Sequence, residues 1–104
     1  MGVLRTVNDI PTVYTLYQNH PNPFNPSTTL QYGVPEASKV NLRVYNVLGQ
    51  GVAQFVDGEQ VAGWHQIIWN AKVMTGIYFY RITAVSISDP KNQFVQVKKM
   101  ILLM

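Results

Sequence analysis

The chain has 104 residues, 47% of them hydrophobic and twelve aromatic, enough for one domain that buries about 60–70% of its unfolded surface without covalent staples. The net charge of +3 is spread along Arg5, Lys39, Arg43, Lys72, Arg81 and Lys91, with only Lys98 and Lys99 adjacent; this is not the concentrated, aromatic-interleaved cation face of a nucleic-acid binder. Cysteine is absent, which excludes disulfides and thiolate metal sites, and no run reaches the ~18 uninterrupted apolar residues of a membrane helix.

Met1-Gly2-Val3-Leu4-Arg5 lacks the apolar stretch of a secretory signal, so for an exported parent that signal is expected upstream. Residues 1–12 are polar and mixed, end in Ile10-Pro11-Thr12, and read as a linker ahead of a domain expected over 13–104. The remainder falls into short apolar runs broken by turn residues, with no 3.6-residue stripe. Strands are expected near 13–18, 28–34, 39–46, 50–56, 63–69, 76–84 and 92–103. Seven short strands at roughly 8–12-residue spacing predict an all-β fold, an antiparallel sandwich, and Tyr78-Phe79-Tyr80 near the start of the sixth favours an immunoglobulin-like topology.

Between the first two strands lies His20-Pro21-Asn22-Pro23-Phe24-Asn25-Pro26, which sets three prolines around one large aromatic. Proline fixes φ, offers no amide hydrogen and biases the preceding residue towards extended backbone. His20, Asn22 and Asn25 are therefore expected to be extended, in a stiff connector that cannot sit inside a sheet ladder. Phe24 is expected to plug an apolar pocket while Thr28 and Thr29 open the next strand. Asn22, Asn25 and Ser27 could offer oxygens to Ca²⁺, but that ion takes about 6–8, usually with carboxylates, and the loop has none. Asparagines ending their own turns are the expectation.

Further along, Val40, Leu42 and Val44 alternate with Asn41, Arg43 and Tyr45 and define the clearest inward face. Pro35-Glu36-Ala37-Ser38, Leu48-Gly49, Asp57-Gly58-Glu59 and Ser88-Asp89-Pro90-Lys91-Asn92 carry turn chemistry. Trp69 has inward parity with His65 and Ile67, so His65 reads as a satisfied, partly buried side chain. Trp64 has the opposite parity and is the tryptophan expected to be exposed, thin support for a carbohydrate-stacking platform. Tyr78-Phe79-Tyr80 resembles a tyrosine corner, with Tyr80 where antibody domains keep a cysteine; plain aromatic packing is the alternative.

Catalytic groups are few: His20, His65, Asp9, Glu36, Asp57, Glu59 and Asp89, with Ser27, Ser38, Ser86 and Ser88 outside any nucleophile elbow and no metal-ligand spacing. No enzyme activity, cofactor or metal is expected. The last strand stands apart, because Val95, Val97, Met100, Ile101, Leu102 and Leu103 place apolar side chains on both parities around Lys98-Lys99. It is either covered on both faces or bulged, or else it is an edge strand offered to a receptor by strand addition.

Leu16-Tyr17-Gln18-Asn19, Pro21 to Pro26, Val44-Tyr45-Asn46-Val47-Leu48-Gly49-Gln50, Ala62-Gly63-Trp64-His65, Trp69-Asn70, Thr75-Gly76-Ile77-Tyr78-Phe79-Tyr80-Arg81 and Lys98-Lys99-Met100-Ile101-Leu102-Leu103 occur in that order. Together they resemble the C-terminal sorting domain of type IX secretion systems, with the immunoglobulin-like domain of flagellar hook-capping proteins as a related pattern. The resemblance covers roughly Tyr14 to Leu103. His20, Asn70-Ala71, the short connection from Trp69 to Gly76 and the final Met104 depart from the usual pattern.

The resemblance implies a non-catalytic address label, secreted or at the cell surface by way of the periplasm. Its implied partners are the outer-membrane secretion machinery, a sortase-like protease and an upstream cargo domain, with no nucleic acid and no membrane insertion. The implied recognition residues are Lys98, Lys99, Met100, Ile101, Leu102 and Leu103. Pro21, Asn22, Pro23, Phe24, Asn25, Pro26, Gly49, Gly63, Trp69, Gly76, Tyr78 and Tyr80 are implied to be architectural. A structural spacer or adhesion module and a carbohydrate-binding accessory domain are the other readings.

Overall fold

A computed structural model describes residues 10–103, in which alternation becomes burial: Val40, Leu42 and Val44 lie in the core while Lys39, Asn41 and Arg43 take the other face. The strands, in chain order, are β1 (Thr15–Leu16), β2 (Ser27–Val34), β3 (Ser38–Asn46), β4 (Gly51–Gln60), β5 (Gly63–Asn70), β6 (Gly76–Ser86) and β7 (Gln93–Leu102). They form two antiparallel sheets, β1-β2-β5 against β4-β3-β6-β7, packed as a sandwich. β4, which would extend the first sheet in a constant-type immunoglobulin sandwich, pairs with β3 instead.

Two expectations change. The first strand keeps only Thr15 and Leu16, because the backbone beyond them turns to a side chain: the Tyr80 hydroxyl donates to the Tyr17 carbonyl and accepts from the Asn19 amide, both at 2.8 Å. Asp57-Gly58-Glu59 is not a turn but part of β4, opposite Asn41, Val40 and Lys39. Facing solvent on an edge strand, these polar residues are compatible with pairing. The chain turns instead at Val61-Ala62, where it leaves one sheet for the other. The β3–β4 register slips between Leu42 and Arg43 and again between Val44 and Tyr45. These irregularities bulge β4 around Phe55 and Val52, which pack against the core from an edge strand.

The core joins Leu30, Tyr32 and Val34 of β2 to Val40, Leu42 and Val44 of β3, Tyr80, Ile82 and Ala84 of β6, and Met100 and Leu102 of β7. Trp69 is buried at one end, with the rings of Phe24, Phe55 and Tyr78 at 5.8, 5.7 and 6.3 Å. The Tyr78 hydroxyl donates to the Met74 carbonyl four residues upstream, the bond that defines a tyrosine corner. Tyr80 stands two residues on, fully buried at the position the sequence marked for it. Gly63 and Gly76 open β5 and β6 with positive φ.

Candidate recognition site on the last strand

β7 is an edge strand with unbroken alternation and no bulge against β6, from Gly76 opposite Leu102 to Val85 opposite Gln93. The apolar residues of mixed parity separate cleanly. Met100 and Leu102 are completely buried, Lys98 is half-buried on the same inward side, and Lys99, Ile101 and Leu103 face outward. Of the six candidate recognition residues, two are therefore core side chains, and the outward row is what the folded tip displays.

The free edge of that tip is already occupied. Gln18 donates from Nε2 to the Lys99 carbonyl at 2.7 Å, and Asn22 Oδ1 accepts from the Ile101 amide at 2.9 Å. The Phe24 amide donates to the Ile101 carbonyl, and the Leu103 amide donates to the Phe24 carbonyl, each at 2.9 Å. Phe24 and Leu102 thus form a one-residue parallel bridge, and His20 makes an antiparallel one with Thr29. Strand addition at the tip would have to displace Gln18, Asn22 and Phe24, which already bond the Lys99 carbonyl, the Ile101 amide and carbonyl, and the Leu103 amide. The segment forms its bridges at non-proline positions, His20 and Phe24, as the missing amide hydrogens require.

What holds the segment in place is a buried polar knot. Asn19 Nδ2 donates to Thr28 Oγ1 at 2.9 Å and to the Pro21 carbonyl at 3.2 Å, while Thr28 Oγ1 donates to that same carbonyl at 2.9 Å. Asn19 and Thr28 are both buried and mutually satisfied, so the knot stiffens the fold where an unpaired group would cost stability. Phe24 fills its pocket at 1% exposure. Asn22 does not terminate its own turn as expected; its oxygen caps β7. No local pattern marks Gln18 or the Asn19 backbone for these roles, since Lys99 and Tyr80 lie 81 and 61 residues further along the chain.

The other features are structural. Trp64 is half-buried rather than exposed, stacked on Tyr17 with centroids 5.6 Å apart. It lies where Gly33 has no side chain: a Cβ on Gly33 would meet Trp64 Cζ3 at 2.6 Å and Pro11 Cγ at 2.9 Å. Pro11 is buried there, two residues ahead of the expected domain start; residues 1–9 of the expected linker lie outside the described residues. His65 is half-buried, stacked on Tyr32 at 5.1 Å, with Nε2 2.8 Å from the Val61 carbonyl. Burial pushes the Tyr32 and Tyr80 hydroxyls up to about 12. Among the described residues no three His, Asp or Glu side chains come together to hold a metal.

The proline segment and the terminal strand it pins both fall inside a family match. Residues 18–102 match the model of the secretion system C-terminal sorting domain. The chain belongs to that family. No curated protein and no solved structure matches it. A sorting domain of this family is a non-catalytic signal for type IX secretion, a Gram-negative export route, and the protein that carries it is secreted or displayed at the cell surface.

Proposed function

We propose that the outer-membrane type IX machinery reads this sorting domain at the outward row of β7, Lys99, Ile101 and Leu103, and exports the cargo attached upstream. The observation that carries this reading is the pinned tip. Gln18, Asn22 and Phe24 hold its backbone and Met100 and Leu102 anchor its inner face, so the outward row projects from a rigid support. A preorganised row loses little entropy on docking. A sortase-like protease then cuts ahead of the domain and transfers the cargo to a surface glycolipid.

The test is fractionation of a native type IX host expressing cargo fused to the domain. A Lys99→Glu, Ile101→Ser, Leu103→Ser variant leaves the inner face intact and should accumulate in the periplasm, whereas His65→Ala should be exported. Deleting residues 98–104 is a poorer test, because it removes Met100 and Leu102 from the core. Normal surface delivery of the folded triple variant would overturn recognition through this row.

A further inference from the structure

On the outward face of the four-stranded sheet, side chains line up in rows across the strands. Tyr45, Phe79 and Lys99 share one row; Arg43, Arg81 and Val97 share the next. Arg43 and Arg81 therefore stand directly opposite each other, and like charges so placed destabilise a sheet. No carboxylate occupies an outward position of β3, β6 or β7 to offset them, and those of β4, Asp57 and Glu59, stand opposite Asn41 and Lys39. Arg81 leans on the Tyr45 ring, 5.1 Å from its centroid, and donates to its hydroxyl at 2.9 Å. Arg43 Nε is buried without a hydrogen-bond partner among the described residues.

Beside the arginines is a hollow of about 320 Å³, walled by Tyr45, Val47, Gly49, Phe79, Arg81 and Val97. Gly49 adopts φ 81° in the β3–β4 turn, and the turn leaves Val47 and Leu48 largely exposed next to the hollow. A second feature adjoins it. Ile101 sends both its amide and its carbonyl to the outer edge of β7, and the two-residue period of a strand sends those of Val95 and Val97 the same way. Among the described residues nothing bonds to them, and their side chains are exposed on the outward face.

We infer that this face binds an extended partner peptide carrying a carboxylate and a bulky apolar side chain two residues apart, so that both project to one side. The carboxylate meets the guanidinium of Arg81, where Arg43 opposite it adds to the positive field, the apolar side chain enters the hollow from its Val97 side, and the peptide backbone pairs with the open edge at Val95 and Val97. Charge complementarity selects an acidic partner, since the cations here have no carboxylate across from them. The open main-chain edge selects a peptide over a lipid headgroup, because only a backbone can pair with it. The surface adjoins Lys99 of the export row, but the substitutions that test it, at Arg81 and Val97, leave Lys99, Ile101 and Leu103 in place, so its failure and that of the export reading are distinguishable.

The experiment titrates the ¹⁵N-labelled domain with an acetylated, amidated heptapeptide Ser-Asp-Ser-Phe-Ser-Asp-Ser, whose carboxylates and ring share one face when extended, with its Asn-for-Asp counterpart, and with phosphatidylglycerol vesicles. Shifts are expected at Tyr45, Val47, Phe79, Arg81, Val95 and Val97, and the Asn peptide should bind about tenfold more weakly. Arg81→Gln should weaken the acidic peptide by about tenfold, the loss of one charge-assisted contact. Val97→Pro removes only an outward amide from an edge strand and should also weaken binding while the remaining spectrum keeps its dispersion. Equal binding of the two peptides, shifts confined to another face, unchanged affinity in Arg81→Gln, or binding of vesicles without the peptide would each overturn the proposal.

Discussion

Phe24 sits opposite Leu102, its amide donating to the Ile101 carbonyl and its carbonyl accepting from the Leu103 amide, both at 2.9 Å. Both side chains are buried in the same core cluster, so the proline segment near one end of the domain and the last strand at the other form one cooperative unit. A perturbation at either residue is felt at the tip that the export reading assigns to recognition.

Phe24→Ala should lower stability by about 3–5 kcal/mol, the usual cost of emptying a core phenylalanine site. Denaturant melts check this directly. Leu102→Ala should cost about 2–5 kcal/mol, and the double variant should fall short of the sum, because the two sites share one pocket and one bridge. Strict additivity would mean that the bridge carries no coupling.

Asn22→Ala removes the oxygen that accepts from the Ile101 amide. The expected loss is small, about 1 kcal/mol, since water can reach this edge. Hydrogen exchange should locate it: the Ile101 amide should exchange faster while amides in the middle of β3 keep their protection.

Stability should fall at alkaline pH. The Tyr32 and Tyr80 hydroxyls are pushed up to about 12 in the fold by burial, against an ordinary value of 10.0. Between these values the unfolded chain has released protons that the folded chain still holds, so unfolding is favoured as pH rises. The contribution is complete below about pH 10 and lost by about pH 12. Melting temperature against pH, compared with Tyr32→Phe, checks the sign: the variant should fall less steeply. Tyr80→Phe is the less clean comparison, because it also strands the Tyr17 carbonyl and the Asn19 amide.

Gly33→Ala should destabilise by about 1–3 kcal/mol, as overpacking does. The new methyl would lie 2.6 Å from Trp64 Cζ3 and 2.9 Å from Pro11 Cγ, so the indole must leave its place on Tyr17. Redshifted tryptophan fluorescence alongside the lower melting point is the expected signature.

Strand periodicity was legible wherever one face is buried. Val40, Leu42 and Val44 announced their inward face because alternation is a local property of the pleat. Phe24 was legible because it is the one large apolar side chain in a stiff polar connector, and removing its surface from water favours burial. At β7 the sequence was ambiguous, since Val95, Val97 and Ile101 are apolar yet face outward. Asp57-Gly58-Glu59 misled because turn chemistry and an exposed edge strand favour the same polar residues.

The sandwich class, the inward face of β3, the stiff proline connector and the family could all be read along the chain, because each is written in neighbouring residues or in ordered blocks of them. Packing of the two sheets was needed to reveal that Gln18, Asn22 and Phe24 bond the edge at Lys99–Leu103, that Trp64 fills the space left by Gly33, and that Arg43 stands opposite Arg81 on the neighbouring strand. These are contacts between segments far apart in the chain. Their partners are chosen by sheet order and register, which a single sequence encodes only through the energy of the whole fold.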